Sequence, residues 1–86
     1  MNQEPNILED YNSYRQYIME ETEIVLKEKK RFIETETIST GTKLFNLDRM
    51  IDFFYLEDEH VLTNELLNMK TAIVIKHFLK RKSLDI

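Results

Sequence analysis

The chain has no cysteine, a single glycine, a single proline, no tryptophan and only two histidines in 86 residues. Each scarcity removes a class of structure. Without cysteine there are no disulfides and no thiolate metal sites. One glycine cannot build a glycine-rich phosphate loop. One glycine and one proline are also too few for a turn-rich β architecture. Long apolar stretches are missing too. A run such as Ala72-Ile73-Val74-Ile75 is far too short to span a bilayer. The opening Met1-Asn2-Gln3-Glu4-Pro5 carries neither the basic nor the apolar segment of a secretory signal. These features lead us to expect a cytoplasmic protein with no membrane association.

What is present is helical periodicity. Hydrophobic residues make up 42% of the chain and charged residues 33%, enough for a core and for solubility in one small domain. Ile7, Tyr11, Tyr14, Ile18, Val25 and Phe32 recur in alternating steps of four and three, with Glu21 and Glu28 at the two missing steps. The spacing predicts a long first helix opened by Asn6 as N-cap, with Glu9 three residues on. Residues 1–5 read as a flexible tail. A helix of about 26 residues is on the order of 39 Å long. A compact globule of this chain length is only roughly 30 Å across. The helix therefore either breaks or is covered where it overhangs, and a second copy is the simplest cover.

Residues 34–42 are rich in threonine and hold Gly41, which predicts a connector, with Thr42 as cap of the following helix. A short strand over residues 32–38 is the competing reading. Leu44, Leu47, Met50, Ile51, Phe54 and Tyr55 then share a broad face, with Phe45 and Phe53 partly outside it. After the polar joint Glu57-Asp58-Glu59-His60, Thr63 is the expected cap of the last helix. Its main stripe is Leu62, Leu66, Met69 and Ile73. Leu67, Val74 and Phe78 widen the stripe on one flank, and Ala72, Ile75 and Leu79 on the other. A helix apolar around so much of its circumference belongs at the centre of a fold or of an interface. Residues 83–86 read as a tail. The expected fold is all-α, a small three-helix domain with a long N-terminal helix and a C-terminal helical hairpin, dimeric by its surplus of apolar surface.

No constellation here supports catalysis. His60 and His77 sit in no nucleophilic motif, and no catalytic residue, cofactor, metal or small-molecule substrate is expected. Glu57-x-x-His60 has the spacing of a bundled carboxylate-imidazole metal pair, but such sites need further glutamates on facing helices. Tyr11, Tyr14 and Tyr17 beside Arg15 suggest base stacking, yet Tyr11 and Tyr14 lie on the apolar seam and read as packing. The expected contact surface is Tyr11, Tyr14 and Ile18 with Phe53, so that changing Tyr14 and Ile18 to Asp dissociates the assembly.

The net charge is −4, unevenly spread. Residues 1–40 hold nine acidic and five basic side chains, whereas residues 70–82 hold Lys70, Lys76, Lys80, Arg81 and Lys82 and no acid. The basic end suits the negative pole of a helix. Lys76, Lys80, Arg81 and Lys82 are also candidates for phosphate or an acidic partner, and Glu20, Glu21 and Glu23 for pairing with the basic end of a second chain. The function expected is a non-enzymatic protein-protein interaction or regulatory module working through apolar helix faces. The alternative is a small nucleic-acid-binding regulator that uses the basic last helix. A helix-turn-helix is a weak form of it, because the helix after the joint begins Val61-Leu62-Thr63-Asn64-Glu65 and offers only Asn64 to base edges.

Overall fold

A computed structural model describes residues 7–84, and side chains within residues 9–81. The expected cap Asn6, the tail 1–5 and residues 85–86 lie outside the described residues. Those described form helices α1 (Ile7–Lys27), α2 (Lys29–Glu34), α3 (Thr40–Leu56) and α4 (His60–Leu84), with no strand among them. The strand reading of residues 32–38 is thereby overturned, and helix α4 continues through Ser83 and Leu84 rather than ending before a tail. The layout has four helices where three were expected.

The expected long first helix breaks at Glu28, whose φ of −121° and ψ of 46° leave the helical range. No proline or glycine sits there. Tertiary packing supplies the cause. The bend brings Phe32 and Ile33 against the core, and Lys29 of α2 pairs with Glu65 of α4. A straight helix would carry both contacts away from the body of the protein.

Helices α3 and α4 form the antiparallel hairpin that holds most of the core. Leu47, Met50 and Phe54 of α3 face Leu66, Met69 and Ile73 of α4, and Ile18 and Val25 of α1 close over them. Each such side chain contributes about 1.5–3 kcal/mol by leaving water. Two expectations about α3 are corrected. Phe53 is 7% exposed because Tyr11 and Tyr14 of α1 cover it, while Tyr55 faces solvent. Lys43 lies on the same stripe as Leu47 and Met50 and is buried as well.

The helix ends differ from the expected threonine caps. Ser39, not Thr42, is the N-cap of α3, its hydroxyl oxygen accepting from the Thr42 amide at 3.2 Å. Thr63 does not cap α4. It lies inside that helix, buried, with its hydroxyl donating to the Glu59 carbonyl at 2.8 Å. At the α3–α4 corner the amide of Glu59 donates to the Phe54 carbonyl at 2.9 Å and that of Asp58 to Tyr55 at 3.2 Å. This is a Schellman ending, and it places Asp58 in the left-handed region at φ 59°. Aspartate tolerates that region better than most residues, but glycine does so at less cost. Asp58→Gly is therefore expected to raise stability by about 0.5–1 kcal/mol, seen as a later midpoint in urea. An unchanged or earlier midpoint would show that Asp58 makes a compensating contact.

The molecule is extended. Its radius of gyration is 16.1 Å and its extents are 63 × 31 × 19 Å, against about 12 Å of radius expected for a compact chain of this length. Much of the excess lies in α4, where every residue from Val74 to Arg81 is exposed.

Candidate functional site

Three surfaces are candidates for contact. The first is the aromatic seam where α1 meets α3. Tyr11 stacks on Phe53 with ring centres 6.2 Å apart, and Tyr14 meets the same ring edge-on at 5.9 Å. Below the seam the Tyr11 hydroxyl donates to Glu57, and Arg15 Nε reaches the other carboxylate oxygen of Glu57 at 2.9 Å. The hydrogen bond from Tyr11, helped by the Arg15 charge, holds the Glu57 carboxyl below its usual range although burial pulls the other way. The same bond to Glu57 raises the Tyr11 hydroxyl above its usual value.

A depressed carboxyl stabilises the fold when ionised. That contribution is present above the ordinary carboxylate value and is lost as pH falls through the lower folded value. Glu57→Gln is expected to flatten the acid limb of a stability-pH curve, read from urea midpoints between pH 7 and pH 3. Parallel curves for the two proteins would contradict the assignment.

The structure thus brings together the four residues expected to form an interface and buries two of them. Ile18 is 0% exposed, and Phe53 is covered by this chain's own tyrosines. Only Tyr11 and Tyr14 remain half-exposed. Changing Ile18 to Asp would bury a charge in the core, so it reports on folding and not on association.

The second surface is a pair of unfilled shapes. One is a groove of about 1040 Å³ on the flank of α1, floored by Met19, Leu26, Phe54 and Leu62 and rimmed by charges of both signs, Arg15 and Lys27 with Glu20 and Glu23. Thr22 lines it, is 2% exposed, and its hydroxyl oxygen has no hydrogen-bond partner. The other is a ridge on the outer face of α4. Leu67, Val74, Ile75, Phe78 and Leu79 are all exposed there, Phe78 at 63%. These are the flanks expected to widen the main stripe of α4. Helix α3 covers only the Leu66–Met69–Ile73 side, so the flanks stay in solvent. Apolar side chains gathered on one face of a helix are a stronger signal than isolated exposed residues such as Val61.

The third surface is a basic groove of about 510 Å³ between the 35–39 connector and the end of α4. Lys76, Lys80 and Arg81 line it, as does His77, whose Nδ1 lies 3.5 Å from the Thr40 hydroxyl. The side chain of Lys82 lies outside the described residues. Lys43 enters from beneath, 5% exposed, its ammonium donating to the carbonyls of Ile33 at 2.9 Å and Thr35 at 2.5 Å. Burial, and then the charge of Lys76, lower its affinity for the proton. Lys80 is partly neutralised by Glu36 at 3.3 Å.

Elsewhere, the Arg49 guanidinium lies 5.7 Å from the ring centres of both Tyr17 and Phe45. Tyr17 is therefore a partner of arginine within the chain. Glu57 and His60 do not converge, since His60 faces Asp58 at 3.8 Å. Among the described residues no group of three or more metal-ligating side chains is gathered, and no helix is long and apolar enough to cross a membrane. Comparison with known protein families, with curated proteins and with solved structures finds no match to this chain.

Proposed function

We propose that this chain is a non-enzymatic interaction module of the cytoplasm, acting through helix-on-helix contact at the α4 ridge and the α1 groove. The ridge carries the reading. A long helix with apolar side chains on its solvent face is unstable in isolation, because the patch costs free energy in water that a partner helix removes. Such contacts need no cofactor.

The test compares wild type with Phe78→Asp on the ridge and Met19→Glu in the groove. Both positions are exposed, so both variants are expected to keep wild-type circular dichroism. Wild type is expected to self-associate, or to retain on a column a protein that both variants lose. Equal behaviour of all three in solution and on the column would overturn the reading.

A second reading has one observation in its favour. Lys43, Lys76 and Lys80 crowd like charges around one groove, at a cost that a bound phosphate would remove. A nucleic-acid backbone supplies such phosphates. Binding to duplex or single-stranded DNA would then weaken steeply between 50 and 200 mM salt, by roughly tenfold or more for a few phosphate contacts. No binding at 50 mM salt would remove this reading.

A further inference from the structure

The exposed end of α4 alternates apolar and basic residues in pairs. Val74-Ile75 is followed by Lys76-His77, then Phe78-Leu79, then Lys80-Arg81. At 3.6 residues per turn this order sorts them completely. The four apolar residues fill one side of the helix and the four basic ones the other. All eight are exposed. Arg81 borders the apolar side next to Val74, and Lys76 borders it beyond Leu79. No acid occurs from Lys70 to Arg81. Helical spacing also sets the apolar side opposite Leu66, Met69 and Ile73, the stripe that faces the core. The body of the protein therefore lies behind α4, and the ridge is free to rest on a flat surface.

We propose that this end of α4 lies on the surface of an anionic lipid bilayer, with Phe78 and its apolar neighbours among the acyl chains and Lys76 and Arg81 at the headgroup phosphates. A contact of this kind needs neither a spanning helix nor a signal segment. It goes beyond contact between helices, adding a partner that is not a protein. Area and charge select the lipid. The five ridge side chains, Leu67 included, expose on the order of 500 Å² of apolar surface, short of the roughly 800 Å² per partner of a standard protein interface. Self-association through the ridge is accordingly weak, and dilute chains keep the ridge free. A bilayer sets no such minimum, because its hold grows with buried apolar area and with charge together. It also presents phosphates along both edges of the ridge at once, where a partner helix would need acids on two of its own faces. The long stems of Lys76 and Arg81 reach outward from the apolar boundary to those phosphates.

Because the chain has no tryptophan, a single tryptophan reports the contact. Phe78→Trp is expected to shift its emission to shorter wavelength when mixed, in dilute solution, with vesicles of phosphatidylcholine containing about one third phosphatidylserine. Pure phosphatidylcholine vesicles should leave the emission unchanged, as should either vesicle with Phe45→Trp, whose site on α3 is just as exposed. Flotation of the wild-type chain with the anionic vesicles supplies a second readout. Lys76→Gln with Arg81→Gln should weaken it roughly tenfold or more, since each cation near such a surface contributes about a fivefold factor. Phe78→Asp should abolish it, with unchanged circular dichroism.

Equal binding to neutral and anionic vesicles overturns the proposal, as does binding that survives both Phe78→Asp and the loss of the two cations. No flotation with anionic vesicles overturns it outright. An acidic protein captured by wild type but not by Lys76→Gln with Arg81→Gln, in the absence of vesicle binding, would assign the same face to a protein instead. The interaction reading is tested without lipid, by mass and by column retention, so the two fail separately.

Discussion

Ile18→Asp is expected to unfold the chain or strip α1 from it, whereas Phe78→Asp leaves the helical signal intact. Ile18 is fully buried among Val25, Leu47, Met50 and Phe54. Burying an unpaired carboxylate there costs several kcal/mol even after the structure relaxes. The lost transfer energy of the isoleucine adds about 2 kcal/mol. A domain of this length holds only about 4–13 kcal/mol in total, so the loss takes most of the margin. Phe78 has no such surroundings, and an exposed substitution changes monomer stability by about 0.5 kcal/mol or less. Circular dichroism and a urea titration of both variants check the pair. Equal destabilisation would mean that α4's outer face is packed within the monomer. A folded Ile18→Asp chain would mean that α1 does not close over the hairpin.

Lys43→Ala is the second large effect. The ammonium of Lys43 is the donor for the carbonyls of Ile33 and Thr35, which end α2 and open the connector. Removing it leaves acceptors of a partly buried segment without a partner, at about 1–3 kcal/mol, and empties the space its stem fills. Burial and Lys76 already penalise the charge, so part of the cost is returned. The net expectation is a loss of about 2–3 kcal/mol, or a melting temperature lower by on the order of 10–20 °C. Lys43→Met, which keeps the volume but not the donors, should lose less than Lys43→Ala and more than nothing. Two variants as stable as wild type would show that water serves these carbonyls as well as the ammonium does.

The lowered proton affinity of Lys43 carries its own sign. Its charged form is disfavoured in the folded state, so the unfolded chain binds the proton more tightly. Stability from this group therefore rises as pH climbs from the folded value toward the ordinary lysine value.

How far these features can be read from the amino-acid order depends on which forces set them. The hairpin was legible because period and packing agree. Leu47, Met50 and Phe54 in α3 and Leu66, Met69 and Ile73 in α4 recur at helical spacing, and all are buried. The burial of Lys43 is hard to read from sequence because a charged residue on an apolar stripe reads as solvent-facing. Yet it stands four residues before Leu47 and seven before Met50, and that position was the available signal. Phe53 looked peripheral to α3 because its cover comes from Tyr11 and Tyr14, some forty residues earlier. The break at Glu28 has no local cause at all, being set by the docking of Phe32, Ile33 and Lys29. Ser39 and Thr42 are both plausible caps by residue type, and only the path of the connector selects between them. The surface expected at Tyr11, Tyr14, Ile18 and Phe53 shows a related point, since the chain itself buries Ile18 and Phe53 and leaves the two tyrosines half-exposed. The surplus of apolar surface was real, but periodicity could not tell which stripe the chain would cover itself. It buries Ile18 and Phe53 and leaves the outer face of α4 in solvent.

The most direct test of the account is the absolute mass of wild type and Phe78→Asp by light scattering after size exclusion, over a hundredfold range of concentration. Wild type is expected to be a dimer at the upper concentrations and Phe78→Asp a monomer throughout, with identical helical content. The same mass for both at every concentration, whether monomer or dimer, would contradict the claim that the outer face of α4 joins two copies of the chain.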